Sequence, residues 1–393
     1  MLGTVMFTIV FNSMVITPVL ADIAGDLSVS VSVGGLLVTV NALVAGVMAV
    51  VAAPLISRIG RRHSIVLGMV ILSASNLASV ASPDFLTLLA TRAIAGLGAA
   101  LLAPAVFVMV GDYFSYEQRG RAIGLVMTGA SLGPVLGLPA GAVLADAFSW
   151  RAIFLVIGAL CALFAVLLYR NLPKQEPTAT EEDPAAGMVA NWSAALRSRP
   201  VSAALLADFM GFASWYVVLT FMGAFFREEY GLSTSVLGLL TVATGLGIIT
   251  GSNGGGRLGD RLGKRPIILV SGLAGALFGT LLTTAAPWPA LAMVFLFAFA
   301  VPTGARMASS RAVLTELSPP LRTTIMGINT AGLQFGVLLG SLAGALAIDW
   351  VGYAYLGPTA AAFCLLGTLA FWLEVPEVTR TSAHIPTETA ATP

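Results

Sequence analysis

Long apolar runs alternate with short charged or Pro/Gly-bearing breaks along almost the whole chain. The runs cover 1–21, 32–56, 64–82, 85–113, 121–147 and 150–171, then 200–226, 233–256, 266–286, 288–314, 323–348 and 352–374. Each is close to or above the ~20 residues a helix needs to cross a hydrocarbon core. Backbone polar groups in lipid must bond internally, so runs of this length predict membrane helices and not open strands. A membrane β-barrel would show shorter, alternating segments. The pattern predicts an all-α polytopic membrane protein of twelve spans. A polar stretch at 172–199 divides it into six-helix bundles at 1–171 and 200–374, and the Thr-, Pro- and Ala-rich tail 375–393 is expected to be flexible. No cleavable leader is expected ahead of span 1, which starts on a very short tail or a trimmed start.

Composition agrees. The chain has 393 residues, 57% hydrophobic and 10% charged, against about 25% charged in soluble domains. A net charge of +1 offers no basic field for nucleic acid. Two cysteines, Cys161 and Cys364, lie inside apolar runs and read as packing residues. His63 and His384 are too few for a metal cluster, so no metal or cofactor is expected. The glycine-rich stretch 251–263 lacks the spacing of a phosphate-binding loop, and Gly96-Leu97-Gly98 sits within a membrane span and follows no strand. No hydrolytic triad is available, and an enzyme is not expected. Without an ATPase, uphill transport would have to draw on an ion gradient.

Charge asymmetry orients the spans. One set of loops holds Arg58, Arg61, Arg62, Arg119, Arg121, Arg170, Lys174, Arg197, Arg199, Arg257, Arg261, Lys264, Arg265 and Arg322; the other holds only Arg151 and Arg227. Both termini are expected in the cytoplasm of a bacterial cell, with the protein in the inner (plasma) membrane.

The two halves repeat. Arg58-Ile59-Gly60-Arg61-Arg62 matches Arg261-Leu262-Gly263-Lys264-Arg265, 203 positions later, and the same offset carries Arg119 to Arg322, Gly124 to Gly327, Gly133 to Gly336, Gly137 to Gly340, Gly141 to Gly344, Asp146 to Asp349 and Cys161 to Cys364. With six spans per half, both halves enter the membrane from the same side, a parallel repeat that leaves a central cavity near the midplane.

Four stretches stand out. Gly255-Gly256-Arg257-Leu258-Gly259-Asp260-Arg261-Leu262-Gly263-Lys264-Arg265 follows span 8; its first-half copy, Pro54 to Arg62, has Ser57 where the second half has Asp260. Arg92-Ala93-Ile94-Ala95-Gly96-Leu97-Gly98-Ala99-Ala100 lies in span 4, where a buried arginine must find a cavity or a partner, or else snorkel. Gly129-Ala130-Ser131-Leu132-Gly133-Pro134-Val135-Leu136-Gly137 lies in span 5; Pro134 should kink it and the glycines should let it pack closely. Met14 to Leu27 ends span 1. Together these resemble the major facilitator superfamily and, within it, the twelve-helix drug:proton antiporter branch.

The resemblance implies a rocker-switch transporter whose spans 1, 4, 7 and 10 line the cavity. It implies a proton-coupling role for Arg92, an export motif in Gly129, Gly133, Pro134 and Gly137, and a conformational lock on the outward-facing state from Asp112, Arg58, Arg61, Asp260 and Arg261. Asp112 is expected to pair with Arg58 or Arg61.

Proton coupling needs a titratable group in the cavity. Many relatives carry an acid in span 1; here that stretch has Asn12, Ser13 and Thr17. The remaining candidates are Asp208 in span 7, or a carboxylate wetted at the helix end, and Asp22 near the outer end of span 1, or a solvated loop acid. Arg306 in span 10 could partner Asp208 or an anionic substrate. Arg311 and Glu316 read as ordinary helix-end charges. Cavity candidates are Asn12, Asn41, Trp215, Tyr216, Asn253, Asn329, Gln334 and Arg306, with Phe221, Phe225 and Phe226, and with Phe107, Met109, Phe295 and Met307 able to join. An apolar pocket with few polar groups suits amphipathic small molecules. The expected function is proton-coupled, multidrug-type efflux by a monomer in the lipid bilayer. Export of a sugar, nucleoside or other specific metabolite, lipid or lysolipid translocation, and a transport-dead receptor remain open alternatives.

Overall fold

The structure, a computed structural model of the chain, describes residues 1–114, 116–172, 184–318 and 321–376. All regular secondary structure in them is helical. Eleven helices are long and apolar enough to cross a membrane, and Leu2–Met14 with Ile16–Asp26, bent by 42°, makes the twelfth.

In the N-terminal half α1 is that broken pair. Next come α2 (Val31–Gly34 and Leu36–Ile59), α3 (Arg61–Val80) and α4 (Phe85–Tyr113). The helix α5 runs Tyr116–Leu132, a π turn Gly133–Gly137 and Leu138–Ala147, and α6 is Trp150–Asn171. The C-terminal half has α7 (Arg199–Tyr230), α8 (Thr234–Leu262), α9 (Lys264–Thr284), α10 (Pro289–Leu317), α11 (Arg322–Trp350) and α12 (Leu356–Glu374). The termini and the linker mark the near end of the molecule; the turns after α1, α3, α5, α7, α9 and α11 mark the far end.

Local chemistry accounts for the irregularities. Pro18 lacks an N–H and its ring opposes the carbonyl of Met14, so α1 bends just before it. In α5, Pro134 lies in the π turn; its repeat mate in α11 is Val337, and that helix runs unbroken. Gly60 (φ 80°) and Gly263 (φ 92°) reverse the chain at equivalent loops, in a region of backbone space that a Cβ disfavours.

Some boundaries differ from the sequence reading. Helix α1 runs on to Asp26, α7 to Tyr230 and α8 to Leu262, because charged residues can extend a helix beyond the apolar layer. The polar stretch 172–199 contains a further helix, Pro184–Arg197, whose Ala195 is buried near Val201. Residues 173–183 lie outside the described residues, as does the tail from 377. Val375 is buried, so the tail's first residue is packed and not free.

The repeat is visible in the packing. Within the first half α3 packs on α4 and α6, α2 on α4, and α1 on α5; in the second half α9 packs on α10 and α12, α8 on α10, and α7 on α11. Between halves, α2 meets α11, α5 meets α8, and α1 meets α7. The offset of 203 turns the α2–α11 seam into the α8–α5 seam, as a two-fold axis between two bundles requires.

Candidate functional site between and within the bundles

Glycines set how close the helices come. A Cβ on Gly129 would run into the backbone of Gly3, and one on Gly137 would meet the Phe11 ring at 2.8 Å, so this stretch seats α5 on α1. Gly336, Gly340 and Gly344 repeat the arrangement against Phe209 to Phe221 of α7. The glycines of this stretch therefore build the α1–α5 seam, and Pro134 lines the gap between the halves.

That gap holds a cavity of about 200 Å³. Met14, Pro134 and Leu138 wall one side; Phe212, Trp215, Tyr216, Thr244, Ile248 and Met307 are among those walling the other. Trp215 stacks on Phe299 at 5.5 Å and Phe212 on Tyr216 at 6.4 Å. The sequence reading named Trp215, Tyr216 and Met307 for this wall and missed Met14, Phe212 and Thr244. A larger groove, about 680 Å³, lies between α9 and α12 and is walled almost wholly by leucines, alanine and Trp372.

Asn12 is not at the cavity. It is buried in the first bundle, where its Oδ1 accepts from Asn76 Nδ2 at 2.9 Å. Arg92 lies in the same polar core and is 1% exposed. It donates to Ser79 Oγ at 2.6 Å and Asn76 Oδ1 at 3.4 Å, and its guanidinium covers the Phe154 ring at 4.6 Å. Arg92 neither snorkels nor meets an acid; its Nε and one terminal nitrogen have no partner.

In the second bundle Asp208 is 4% exposed, and its Oδ2 accepts from Asn329 Nδ2 at 2.8 Å. Burial removes the option of a carboxylate wetted at the helix end. Arg306 does not pair with it; it donates to the Ala207 carbonyl at 2.8 Å and lies over Gly211, where any Cβ would collide with it. Asn329 thus holds Asp208, Arg306 holds the backbone beside it, and neither walls the cavity. Asn253 is exposed, its amide bonded to its own helix at Ile249. Gln334 packs beside Gly46 in the α2–α11 seam.

The far end is sealed by contacts between halves. Asp22 on α1 pairs with Arg227 on α7 and accepts from Thr234 Oγ1 of α8 at 3.0 Å. It is no solvated loop acid; it sits within a helix and bridges the bundles. Ser32 of α2 donates to Asp349 of α11, and Thr39 and Ser341 share a hydrogen bond of 2.8 Å one level inward. Gly223 lies against the Thr17 carbonyl. Phe221 and Phe226 are fully buried at this end and Phe225 almost so, which makes them seal and packing residues and not cavity wall.

At the near end Arg62 donates to the Tyr169 carbonyl, and its repeat mate Arg265 donates to the Trp372 carbonyl at 2.6 Å. Each ties the start of one helix to the end of another within its own bundle. Lys264 pairs with Glu316, so Glu316 is no ordinary helix-end charge. Arg58, Asp260 and Arg261 are exposed, and Arg61 is half-buried. The side chain of Asp112, and its expected pairing, lie outside the described residues.

Comparison with known proteins follows the same lines. The family profile described as Major Facilitator Superfamily matches residues 2–255 and again 204–393. An uncharacterized MFS-type transporter of Bacillus subtilis (strain 168), YceJ, is 28% identical over 87% of each chain. A probable sugar efflux transporter of Pasteurella multocida (strain Pm70) is 28% identical over 93% of this chain and 89% of its own. A chloramphenicol resistance protein of Streptomyces lividans is 28% identical over 70% and 67%. Among solved structures, a D-xylose-proton symporter superposes with a TM-score of 0.75 at 19% identity over 96% of both chains. A bacterial homologue of the human lysosomal transporter Spinster, inward-facing and occupied, gives 0.72 at 20% identity over 94% and 90%. Twelve spans, a 203-residue repeat and two bundles meeting across a cavity agree with these matches: the chain is a multi-pass membrane transporter, not an enzyme, and belongs to the major facilitator superfamily.

Proposed function

We propose that the chain exports small amphipathic molecules in exchange for protons, by alternating access in a bacterial inner membrane. The near end, which carries the basic loops, is the cytoplasmic face, and the far-end seal makes this conformation inward-facing. The observation that supports proton coupling is Asp208: among the described residues it is the one acid that is buried, and it lies one helical turn from Phe212 of the cavity wall. Arg92 and Arg306 are bonded to neutral groups, and neither is paired with Asp208. The exposed Asp260 and Arg261 fit a lock that forms only when the cytoplasmic face closes.

The relatives' names point to two readings, chloramphenicol resistance and sugar efflux. The aromatic lining of the cavity favours the first. The test is proton movement in acidified everted vesicles holding the protein. Adding an exported amphiphile should release protons in wild type, and Asp208→Asn should abolish that release. Substrate efflux with no proton movement in either protein would overturn the coupling.

A further inference from the structure

We propose that the cavity between the bundles is built for an uncharged, flat aromatic amphiphile, and that Tyr216 selects it by donating one directional hydrogen bond. This deepens the export reading and rests on it for the direction of transport.

Charge comes first. No residue walling the cavity carries a charge at neutral pH. The nearest acid, Asp208, is turned to Asn329, and the nearest base, Arg306, is folded onto Gly211 and the Ala207 carbonyl. A cation entering this gap would shed water and meet no carboxylate, a cost that an apolar lining cannot offset.

Polarity comes second. The wall offers two hydroxyls. Thr244 spends its proton on the Thr241 carbonyl at 2.8 Å, which leaves its oxygen as an acceptor only. Tyr216 is nine-tenths buried, and its hydroxyl has no hydrogen-bond partner among the described residues. One donor and one acceptor cannot satisfy the ring of hydroxyls on a sugar, and each unmet group is penalised on burial. They do suit a molecule with a single carbonyl, nitro or ether oxygen.

Shape comes third. Phe212 and Tyr216 lie only 20° from parallel, and Trp215 with Phe299 24°, so α7 presents flat ring faces in sequence. Met14 and Met307 add flexible, polarizable walls that adjust to ring edges.

The experiment is equilibrium binding to the purified full-length protein in lipid nanodiscs, by titration calorimetry. Four probes are compared: 4-nitroacetophenone, naphthalene, tetraphenylphosphonium and D-xylose. The nitroketone should bind tightest. Tyr216→Phe keeps the ring and should weaken the nitroketone by about tenfold, the loss of one buried hydrogen bond, while leaving naphthalene unchanged. Thr244→Val checks that the effect belongs to the donor, since it should leave the nitroketone within about twofold. Tighter binding of the cation or the sugar, equal weakening of both aromatic probes by Tyr216→Phe, or no aromatic binding at all would overturn the assignment. Proton release by the cation in vesicles would sink it while sparing the export reading. Nitroketone binding without proton movement would do the reverse.

Discussion

Gly223 offers the sharpest test of the far-end seal. A Cβ at this position would fall on the Thr17 carbonyl oxygen and 3.2 Å from Pro18 Cα, both backbone atoms of α1 in the opposite bundle. No side-chain rotation can relieve that overlap, so Gly223→Ala must push α7 away from α1. In the proposed cycle this contact is lost when the seal opens, so the cost falls on the sealed state. Overpacking by one methyl at a tight site costs about 1–3 kcal/mol. Since 1.4 kcal/mol is tenfold, the ratio of sealed to open molecules should drop by about 5- to 150-fold. Spin labels at Phe148→Cys and Trp350→Cys report it, because these positions are 77% and 80% exposed at the far ends of α5 and α11. The native Cys161 and Cys364 are buried and should stay unlabelled. Gly223→Ala should add a long-distance population to the pulsed dipolar spectrum. A folded, monodisperse variant whose distance distribution matches wild type would refute the reasoning.

The remaining predictions concern charge, close packing and pH. Asp22→Asn should shift the same distance distribution outward by a smaller amount, about two- to fivefold in population, because both partners are about a third exposed and solvent screens them; the swap Asp22→Arg with Arg227→Asp should recover part of the sealed population, and a swap no better than the single variant would dismiss the pair as a latch. Gly340→Ala should lower thermal stability by about 1–3 kcal/mol without changing the state populations, since its Cβ would overlap Ala213 inside one bundle; calorimetry and the spin-label distances read the two effects separately. Asp84 caps α4 by accepting the Thr87 N–H at 2.7 Å, and that bond holds its carboxyl below the ordinary carboxylate range. A lowered folded pKa gives stability that is present above the ordinary pKa and lost as pH falls through the folded one. Asp84→Ala should therefore melt below wild type at neutral pH, with the gap closing as pH falls well below the ordinary carboxylate range; a gap unchanged through the whole acid titration would exclude the charged cap.

Span number, the six-plus-six division and the parallel repeat were legible because lipid allows so few backbone solutions. Trp215 and Tyr216 were found because they lie within a long aromatic run in span 7. The rest depended on which way each face points. Asn12 reads as a cavity residue from its place in span 1, yet Asn76 of α3 turns it into the bundle core. Asp22 reads as a loop acid because Gly25 and Asp26 follow it, yet the helix continues and Arg227 lies 205 residues away in sequence. Long-range pairs of this kind leave no local signal. The carbonyl ties made by Arg62 and Arg265 were hidden for the same reason, although the repeat of Tyr169 in Trp372 could have exposed them.

Where the repeat is kept and where it is broken separates scaffold from chemistry. The offset of 203 preserves Gly133, Gly137 and Gly141 as Gly336, Gly340 and Gly344, all at helix seams. It preserves the loop glycines Gly60 and Gly263, whose backbone must turn with positive φ. It also carries Ser32 to Ser235 and Asp146 to Asp349, so the seam that Ser32 and Asp349 close has a sequence counterpart between α8 and α5. The polar groups break it. Asp208 answers to Val5, Arg306 to Ala103 and Asn329 to Val126; Arg92 answers to Phe295, and Asn12 to Trp215. Rocking two bundles about one axis needs matched seams, and symmetry supplies them. Binding a proton at one place and an asymmetric molecule at another needs the two halves to differ. The first bundle holds Arg92 in a polar core and has no buried acid among its described residues; the second holds the buried acid and the aromatic wall. In the proposed cycle the proton site and the substrate wall share α7, with Asp208 one turn from Phe212. Moving the acid to the other half, Asp208→Asn with Asn12→Asp, should leave binding of an aromatic probe intact while its pH dependence is lost. Retained pH-dependent affinity in that double variant would show that proximity along α7 is not what links the two events.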